Sequence, residues 1–420
     1  MIIKNFKSLA STPERKMVLE VANAGIESAL PDLIIQENVS LDKNILIIKD
    51  KKFDLSKIKK LYVLGVGKAA FEMGQALEKI LKNKISEGIV LDINKGKLKY
   101  LKSFKGDHPL PSETNLSVSK KIVAIAKKAT KDDLVITLIS GGASALFCLP
   151  HELSISQLKT LNDELIKSGA DIHEVNTVRK HVSMVKGGGL AKIAYPAQII
   201  SLIFSDVPGN DLSFIASGPT VKDKTTSKDV ARVLKKYDID DDFELFETPK
   251  EEKYFKNIDN ILLLSGITAI EKMQEKCKEL KQPCTVYSYA LRGEAKIVGR
   301  KLLQRLPEKG FMIASGETVV KVIGEGKGGR NEELVLGAMP YLEGTVFASI
   351  ASDGIDNTDA AGAIADEISL KQAQEKNMDW AEYINDNDSY NFFKKAGGLI
   401  MTGPTGTNIA DLIVIYKKEN

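Results

Sequence analysis

The strongest constraint on the fold is a repeated local pattern, in which a short apolar strand leads through a glycine turn into an amphipathic helix. Lys60 to Leu64 is predicted as a strand, Gly65-Val66-Gly67 as a tight turn and Ala69 to Leu81 as a helix. The runs Leu134 to Ile139 and Gln198 to Phe204 are almost continuously apolar, as strands inside a parallel sheet are. We therefore predict an α/β fold with a mostly parallel sheet covered by helices.

Chain length and punctuation predict two domains. The chain has 420 residues, and domains average roughly 150 residues. The stretch from Lys222 to Asn260 is polar and charged, which makes it the best candidate for a boundary. A second series of strands and helices starts at Ile261. We predict a larger Rossmann-like domain over residues 1–240 and a smaller α/β domain over residues 256–420, with the active site in the cleft between them.

Charge and cysteine content restrict the partners. Lysine and arginine number 59 against 56 acidic residues, a net charge of +3 with the signs interspersed, so nothing indicates nucleic acid or an anionic membrane. No run approaches the ~18 apolar residues of a membrane span. The three cysteines form no C-x-x-C motif, which favours reduced thiols. We expect a cytoplasmic protein acting on small molecules, and a homodimer stays open.

The turn from Gly65 to Ala70 fits the G-x-G-x-x-A pattern of dinucleotide sites, and Asp92 ends the next strand at about the right distance. Lys68 argues against a dinucleotide site, because a cation at a helix N-terminus costs roughly 0.3–1 kcal/mol unless an anion compensates it. The turn is not a Walker A loop, since Ala69 follows the lysine where Ser or Thr is required. A nicotinamide site, a phosphate site and a simple packing turn all remain open.

Two further segments combine glycine with polar side chains. Ser140-Gly141-Gly142-Ala143-Ser144 ends a predicted strand, where backbone N–H groups and hydroxyls can cradle phosphate, although a plain turn fits equally well. A predicted helix carries Asn176 and Arg179 and is followed by Lys186, a pattern that also suits a solvated face. His173 and His181 lie eight residues apart, but no further ligand completes a metal site.

Acidic loops follow two apolar strands. One contains Asp206, and the other contains Asp353 and Asp356; such carboxylates can hold Mg²⁺, accept a substrate proton or simply cap turns. Arg330 ends a glycine-rich loop at a predicted helix start, in a chain with only seven arginines. Lys68 and Arg330 thus place one cation at a predicted helix start in each predicted domain. Phosphoryl transfer requires cations on both sides of the transferring group.

These motifs, in this order, resemble the class II glycerate 2-kinases, which combine a glycerate-kinase-type N-terminal domain with a C-terminal MOFRL domain. The matching segments include GVGKAAFEM, DHPLPS, LISGGASALF, SLIFSDVPGND, GGRNEE, ASDGIDNTDAAGA and TGPTGTN. The resemblance implies phosphorylation of D-glycerate at its 2-hydroxyl by ATP, with a divalent metal, usually Mg²⁺. It assigns catalysis to Lys68 and Arg330, with Asp206 as a candidate base or metal ligand.

The resemblance also implies the remaining site residues. Binding of substrate or nucleotide falls to Gly67, Ser140, Gly141, Gly142, Ser144, Asn176, Arg179, Lys186, Arg292, Asn331 and Glu332, and metal binding to Asp206, Asp353 and Asp356. Three positions depart from the commonest family pattern: Gly189 replaces a larger polar or basic residue, Asn210 an aspartate and Asn357 a glycine. These departures leave the substrate range open.

Two other functions compete with the kinase. An NAD(P)H-dependent hydroxypyruvate reductase would use the G-x-G-x-x-A turn with Asp92, and would need His108 or His181 as proton donor. A catalytically silent sensor of glycerate or nucleotide would keep the cleft without turnover. Two phosphate-type loops and two cations are more than sensing requires, so the kinase is preferred.

Overall fold

Two six-stranded sheets organise the chain, one in each of two folding units. The computed structural model describes residues 1–205, 210–240 and 243–419. Residues Ile34–Leu263 form one unit, called here the central unit. Met1–Leu33 and Leu264–Asn420 together form the other, called the terminal unit.

The central unit is built on a doubly wound sheet. Its strands are β4 (Leu61–Val66), β5 (Ile85–Asp92), β6 (Lys102–Lys105), β7 (Leu134–Ile139), β8 (Gln198–Phe204) and β9 (Ile258–Leu264). They lie in the order β6-β5-β4-β7-β8-β9, and the pairs from β6 to β8 are parallel. The order equals 3-2-1-4-5-6 when the strands are numbered within the sheet, which is the arrangement of dinucleotide-binding folds. The predicted parallel sheet is confirmed.

Helices and a small antiparallel sheet complete this unit. The helices are α3 (Pro31–Asn38), α4 (Ala70–Leu81), α5 (Glu113–Ala126), α6 (Ala143–Leu146), α7 (Ile155–Lys167), α8 (Ile172–His181), α9 (Gly189–Ala194) and α10 (Ser227–Lys236). The antiparallel strands are β1 (Val39–Asp42), β2 (Ile45–Ile48) and β3 (Lys51–Asp54). Every side chain of β4 and β7 is buried, because the sheet is covered on both faces.

The polar stretch from Lys222 to Asn260 is folded into the central unit. Within this stretch Asp223 is buried and bonded to Lys180 Nζ at 3.1 Å and to the hydroxyls of Thr225 and Thr248. Part of the polarity therefore serves a buried ion pair, since buried charges require partners.

The terminal unit contains a mixed sheet. Its strands are β10 (Cys284–Leu291), β11 (Gly310–Gly316), β12 (Thr345–Ala351), β13 (Gly362–Ala365), β14 (Leu399–Ile400) and β15 (Asp411–Lys417). The order is β10-β11-β15-β12-β13-β14, with β10 parallel to β11 and the other neighbours antiparallel. The helices are α1 (Phe6–Leu9), α2 (Pro13–Glu27), α11 (Gly266–Glu279), α12 (Ala295–Leu303), α13 (Arg330–Ala338), α14 (Glu367–Glu375), α15 (Trp380–Asn385) and α16 (Ser389–Ala396).

The N-terminal helix α2 is part of the terminal unit. Thr12 caps α2 by accepting a hydrogen bond from Arg15 N, and Pro13 is its first residue. The guanidinium of Arg15 makes a bidentate ion pair with Asp366, with both distances 2.7 Å and both side chains buried. The compact units thus divide the chain differently from the predicted ranges 1–240 and 256–420. None of the described helices has the length and apolar character needed to span a bilayer.

Candidate active site

The candidate site of the central unit lies where the strand order reverses. β4 and β7 are neighbours; the strand after β4 is added on one side of this pair, and the strand after β7 is added on the other. Val66 pairs with Ile139, so the two strands end level with each other. Open α/β sheets bind ligands at this switch point, beyond the carboxyl ends of the strands. Two of the predicted phosphate loops, Gly67–Ala69 and Ser140–Ser144, follow these two strands.

The two loops are bonded directly to each other. The N–H of Lys68 donates to the carbonyl of Gly141 at 2.9 Å, and the N–H of Ala69 donates to Ser140 Oγ at 3.0 Å. Gly67 has φ +132°, and a Cβ added to it would lie 2.2 Å from Ser140 Oγ. The second glycine of the G-x-G-x-x-A pattern is therefore required by the approach of β7, whether or not a ligand binds.

Lys68 and His108 flank the second loop. A Cβ on Gly142 would lie 2.9 Å from Lys68 Cγ and 3.1 Å from His108 Cδ2, so both side chains contact this turn. Desolvation, aided by the Lys68 ammonium, lowers the pKa of His108 to about 4. Within the described ranges, Lys68 forms no ion pair with a carboxylate. The loops thus present a neutral imidazole and an uncompensated cation, a combination that favours an anionic ligand.

A cavity of about 390 Å³ opens beside these loops, and all of its lining belongs to the central unit. It is lined by His108, Gly142 and Ser144, by Arg179 of α8 and by Lys186. Arg179 Nε donates to Asn162 at 2.6 Å, and Lys186 Nζ donates to the carbonyl of Ser144 at 2.5 Å. Four predicted site residues are therefore brought together here: Gly142, Ser144, Arg179 and Lys186.

The predicted residue Asn176 reaches Ser144 through a residue that sequence analysis did not single out. Ser217 Oγ donates to Asn176 Oδ1 at 3.0 Å and lies 3.3 Å from Ser144 Oγ. Ala216 and Ser217 both have left-handed φ values, 54° and 58°, which are uncommon for residues with a side chain. One sequence signal for this turn is the pair Ser217-Gly218, a dipeptide that marks turns.

Asp92 is bonded inside the protein. It is completely buried, and its carboxylate accepts hydrogen bonds from Phe71 N at 2.9 Å and Asn94 N at 3.0 Å. It therefore caps the first turn of α4, while Gly67 contacts Ser140. The observations that suggested a nicotinamide cofactor are explained by packing and capping within the protein.

The acidic loop after β8 is described only in part. Asp206 lies outside the described residues. Asn210 has φ 55°, a conformation that asparagine tolerates better than most residues. Gly189 begins α9, and a Cβ there would lie 2.2 Å from the carbonyl oxygen of Met184. The missing side chain at Gly189 therefore leaves no extra space, because neighbouring backbone fills it.

In the terminal unit, the predicted site residues gather at one edge of the sheet. Arg292 directly follows β10 and Asp353 lies just after β12, while Asp411 begins the antiparallel strand β15. Leu291 pairs with Gly316, and Gly316 and Ala351 both pair with Asp411, so these strand ends are level. The fold thus places Arg292 and Asp353 at this edge from separate parts of the sequence.

Arg330 is held by two carboxylates at the same edge. Its Nε donates to Asp411 Oδ2 at 2.6 Å, its Nη2 donates to Asp411 Oδ1 at 3.0 Å, and Nη2 also donates to Glu317 at 3.1 Å. Burial raises the pKa of Asp411, and the guanidinium opposes this by favouring the carboxylate. The charge of Arg330 is therefore compensated within the terminal unit.

Asp356 caps a helix, which argues against its predicted role as a metal ligand. Its Oδ2 accepts hydrogen bonds from the N–H groups of Asn331 and Glu332, both at 2.9 Å, and its Oδ1 accepts one from Asn331 Nδ2 at 3.1 Å. These bonds satisfy the N-terminus of α13. Asp356 is 3% exposed, so a metal would have to replace existing bonds.

Asn331 and Glu332 are likewise used inside the terminal unit. Asn331 Oδ1 accepts from Ser349 Oγ, and the two Glu332 oxygens accept from Gly329 N and Thr358 Oγ1. Glu332 is fully buried, and burial, with the nearby Asp356, raises its pKa to about 8. Both residues therefore shape the helix start, and the predicted role of either in binding ligand requires a rearrangement of these bonds.

Asp353 and Arg292 remain the more accessible predicted residues of this edge. Asp353 is partly exposed, and its Oδ1 accepts from Ile355 N at 3.0 Å. Arg292 is exposed. Asn357, which replaces a family glycine, has φ 59° and donates to the carbonyl of Gly328 at 3.0 Å. The substitution suits this position because asparagine adopts left-handed φ readily.

Fold and site together define an α/β protein with paired glycine loops at a switch point and a second charged edge around a partly buried arginine. The MOFRL family model matches residues 310–411, and a model described as a domain of unknown function, DUF4147, matches residues 17–245. The glycerate 2-kinase of Pyrococcus horikoshii is 38% identical, with 95% of this chain and 96% of that protein covered. The chain therefore belongs to the class II glycerate kinase family.

A solved structure and a second relative complete the comparison. The crystal structure of glycerate kinase from Thermotoga maritima superposes with a TM-score of 0.87 at 35% identity, covering 96% of this chain and 99% of that one. A protein of Agrobacterium vitis with the provisional name hydroxypyruvate reductase is 36% identical, covering 84% of this chain and 86% of that protein. The P. horikoshii kinase covers more of this chain than this protein with a reductase name does.

Proposed function

We propose that this chain is a glycerate 2-kinase, which transfers the γ-phosphoryl group of ATP to the 2-hydroxyl of D-glycerate. Family membership over nearly the whole chain supports the reaction. The observation that carries the chemistry is Lys68, a cation with no carboxylate partner among the described residues, on paired glycine loops at the switch point. Such a site binds phosphate through backbone N–H groups and a fixed positive charge.

In the proposed reaction, the 2-hydroxyl oxygen of glycerate attacks the γ-phosphorus. The bond from that phosphorus to the bridging oxygen breaks, and ADP leaves. Lys68 and the N–H groups of Gly141, Gly142 and Ser144 neutralise charge on the transferring oxygens, as phosphoryl transfer requires. The hydroxyl proton passes to a base, for which Asp206 is the candidate that the sequence provides.

Arg330 has a second proposed role. Its bidentate bond to Asp411 fixes the plane of the guanidinium, because both partners are held on regular elements, α13 and β15. A fixed guanidinium binds phosphate or carboxylate with less loss of entropy than a mobile one. We propose that Arg330 stabilises charge in the transition state.

A divalent cation fits part of the predicted ligand set. Asp353 offers a partly exposed carboxylate, whereas Asp356 is fully bonded as a helix cap. When bound, Mg²⁺ would neutralise charge on the nucleotide phosphates. We propose Asp353 as a protein ligand of this cation, and Asp356 as the residue that holds α13 in place.

The function is tested by incubating the protein with ATP, Mg²⁺ and D-glycerate and following ADP release. Added enolase then identifies the product, because it accepts 2-phosphoglycerate and not 3-phosphoglycerate. Glycerate-dependent ADP release with immediate enolase turnover is expected. ADP without enolase turnover would contradict the 2-position, and no glycerate-dependent ADP would contradict the kinase.

A further inference from the structure

The cavity beside the switch point combines two chemically different surfaces. Its volume of about 390 Å³ falls within the ~300–1,000 Å³ of pockets that hold ligands of drug size. Leu110 and Ile166 line it and are 56% and 62% exposed, so they lie at its mouth. Lys186 lines it and is 6% exposed, so it lies at its floor.

The floor carries positive charge without an acidic partner among the described residues. Arg179 donates to the neutral amide of Asn162, and Lys186 donates to the carbonyls of Ser144 and Phe147. Asp163 is the acidic residue of the lining, and its carboxylate pairs with Lys167 at 2.7 Å. Two desolvated cations in one cavity repel each other, so an anion bound there is stabilised.

The mouth is apolar. Leu110 and Ile166 are large side chains left in water, and Leu149, Leu158 and Val182 continue the apolar wall inward. Exposed apolar groups around a concave site indicate a ligand with apolar surface. Glycerate is a small hydrophilic acid with no such surface. A nucleotide has a flat base at one end and a chain of phosphates at the other.

The cavity also continues to the proposed reaction centre. Gly142 and Ser144 line it, and they belong to the loop that contacts Lys68. A phosphate chain lying over Arg179 and Lys186 therefore leads toward Lys68. We infer that this cavity is the nucleotide site of the proposed kinase, with the base at the Leu110 and Ile166 mouth and the phosphates over the cationic floor.

This inference rests on the proposed function, and its test separates the two. Leu110→Ala and Ile166→Ala each remove one exposed apolar side chain, with little consequence for folding. Ile172→Ala is the matched control, because Ile172 is 55% exposed on α8 and does not line the cavity. For each variant, titration calorimetry gives the Kd of Mg·ADP, and steady-state kinetics give KM for ATP and for D-glycerate.

Each mouth variant is expected to raise the Kd of ADP and the KM for ATP by about 3–10-fold, with KM for glycerate changed less than about twofold. Ile172→Ala should change none of them. An unchanged Kd for ADP, or a rise confined to KM for glycerate, would overturn the assignment. Should the wild-type protein phosphorylate no glycerate, the proposed function fails, while the ADP titration still decides the occupant of the cavity.

A second comparison tests the orientation of the ligand. Adenosine, used as a competitor of ATP, has the base without the phosphates. Arg179→Gln should weaken ADP at least tenfold and leave the inhibition constant of adenosine within about twofold, since a charge-assisted contact to phosphate is worth roughly 1.5–3 kcal/mol. Ile166→Ala should weaken the binding of both ADP and adenosine. If Arg179→Gln lost affinity for adenosine and for ADP by the same factor, the proposed orientation would be contradicted.

Discussion

Gly67 and Ser140 approach so closely that a single methyl group would not fit between them: a Cβ on Gly67 would lie 2.2 Å from Ser140 Oγ and 2.6 Å from the Ser140 carbonyl oxygen. The contact joins the loops after β4 and β7, which are the two loops that bracket the switch point. The position of Lys68 relative to the Ser140 loop is therefore set by backbone contact.

Gly67→Ala should destabilise the central unit by more than its backbone conformation alone would cost. A side chain at φ +132° costs about 1–3 kcal/mol, and the clash with Ser140 adds to this. Gly169→Ala is the control, because Gly169 also has positive φ, +81°, but has nothing within 4 Å of an added Cβ. Chemical denaturation measures both, and equal losses of unfolding free energy would contradict the importance of the contact.

Lys68→Met should reduce kcat by about 10³-fold or more while leaving the thermal unfolding temperature unchanged, because it removes charge stabilisation in the transition state. The same variant should raise the pKa of His108 above its value of about 4, since a nearby cation disfavours imidazolium. NMR titration of the imidazole protons measures this. A His108 pKa unmoved by the substitution would show that the ammonium lies elsewhere.

Asp411→Asn should lower both activity and stability. The substitution leaves Arg330, which is about one-third exposed, with the peripheral Glu317 as its carboxylate partner among the described residues, and we expect a loss of about 2 kcal/mol in unfolding free energy. Glu317→Gln is the matched control, because that carboxylate is 46% exposed and should cost below about 1 kcal/mol. A Glu317→Gln protein impaired as much as Asp411→Asn in kcat/KM would contradict the role given to Asp411.

Asp356→Asn should lower stability, whereas Asp353→Asn should weaken the response of the rate to Mg²⁺. Asp356→Asn weakens the cap of α13 by about 1 kcal/mol and should leave the concentration of Mg²⁺ needed for half-maximal rate unchanged. Asp353→Asn should raise that concentration at least severalfold without lowering the unfolding temperature. Kinetics over a range of Mg²⁺ concentrations with a melting curve for each variant measure both effects. The reverse pattern would make Asp356 the metal ligand.

Binding of ADP should weaken as pH rises through about 8. Burial lowers the pKa of Lys186 to about 8, so its ammonium, which attracts phosphate, is lost above this pH. Lys186→Met should bind ADP more weakly and without this decline. The linkage to folding has the opposite sign: between pH 8 and the ordinary lysine pKa of about 10.4 the unfolded chain binds more protons, so wild-type stability rises with pH. Calorimetry across pH measures the first effect and denaturation the second.

Apolar runs predicted the central sheet because its strands are buried on both faces. Leu134–Ile139 and Gln198–Phe204 are strands with the predicted bounds. The first strand was predicted to end at Leu64, whereas it continues to Val66, because Gly65 lies inside the sheet against Val90. A glycine required for close packing has the same appearance in a sequence as a glycine that ends a strand. The short strands β1 to β3 were missed for lack of a long apolar run.

The candidate site was predictable only where one segment of the sequence supplies both the functional residue and the local structure that positions it. Lys68 follows a strand and a glycine turn, so its position at the end of a strand could be deduced. Asp411 was missed because its partner Arg330 lies 81 residues away, and the one local signal is a carboxylate at the start of an apolar strand. Asp356 was recognised as functional, but its capping role depends on α13, whose position relative to the loop is a tertiary property.

The ion pair between Arg15 and Asp366 joins residues 351 positions apart within one compact unit. α2 packs against α11 and β15, which both follow the central unit in the chain. The central unit, made of continuous chain, can fold before these partners are synthesised, since domains fold as units as they emerge. A ribosome-stalled chain from which α11 has not yet emerged should therefore hold a protease-resistant central unit and an N-terminal helix still open to cleavage.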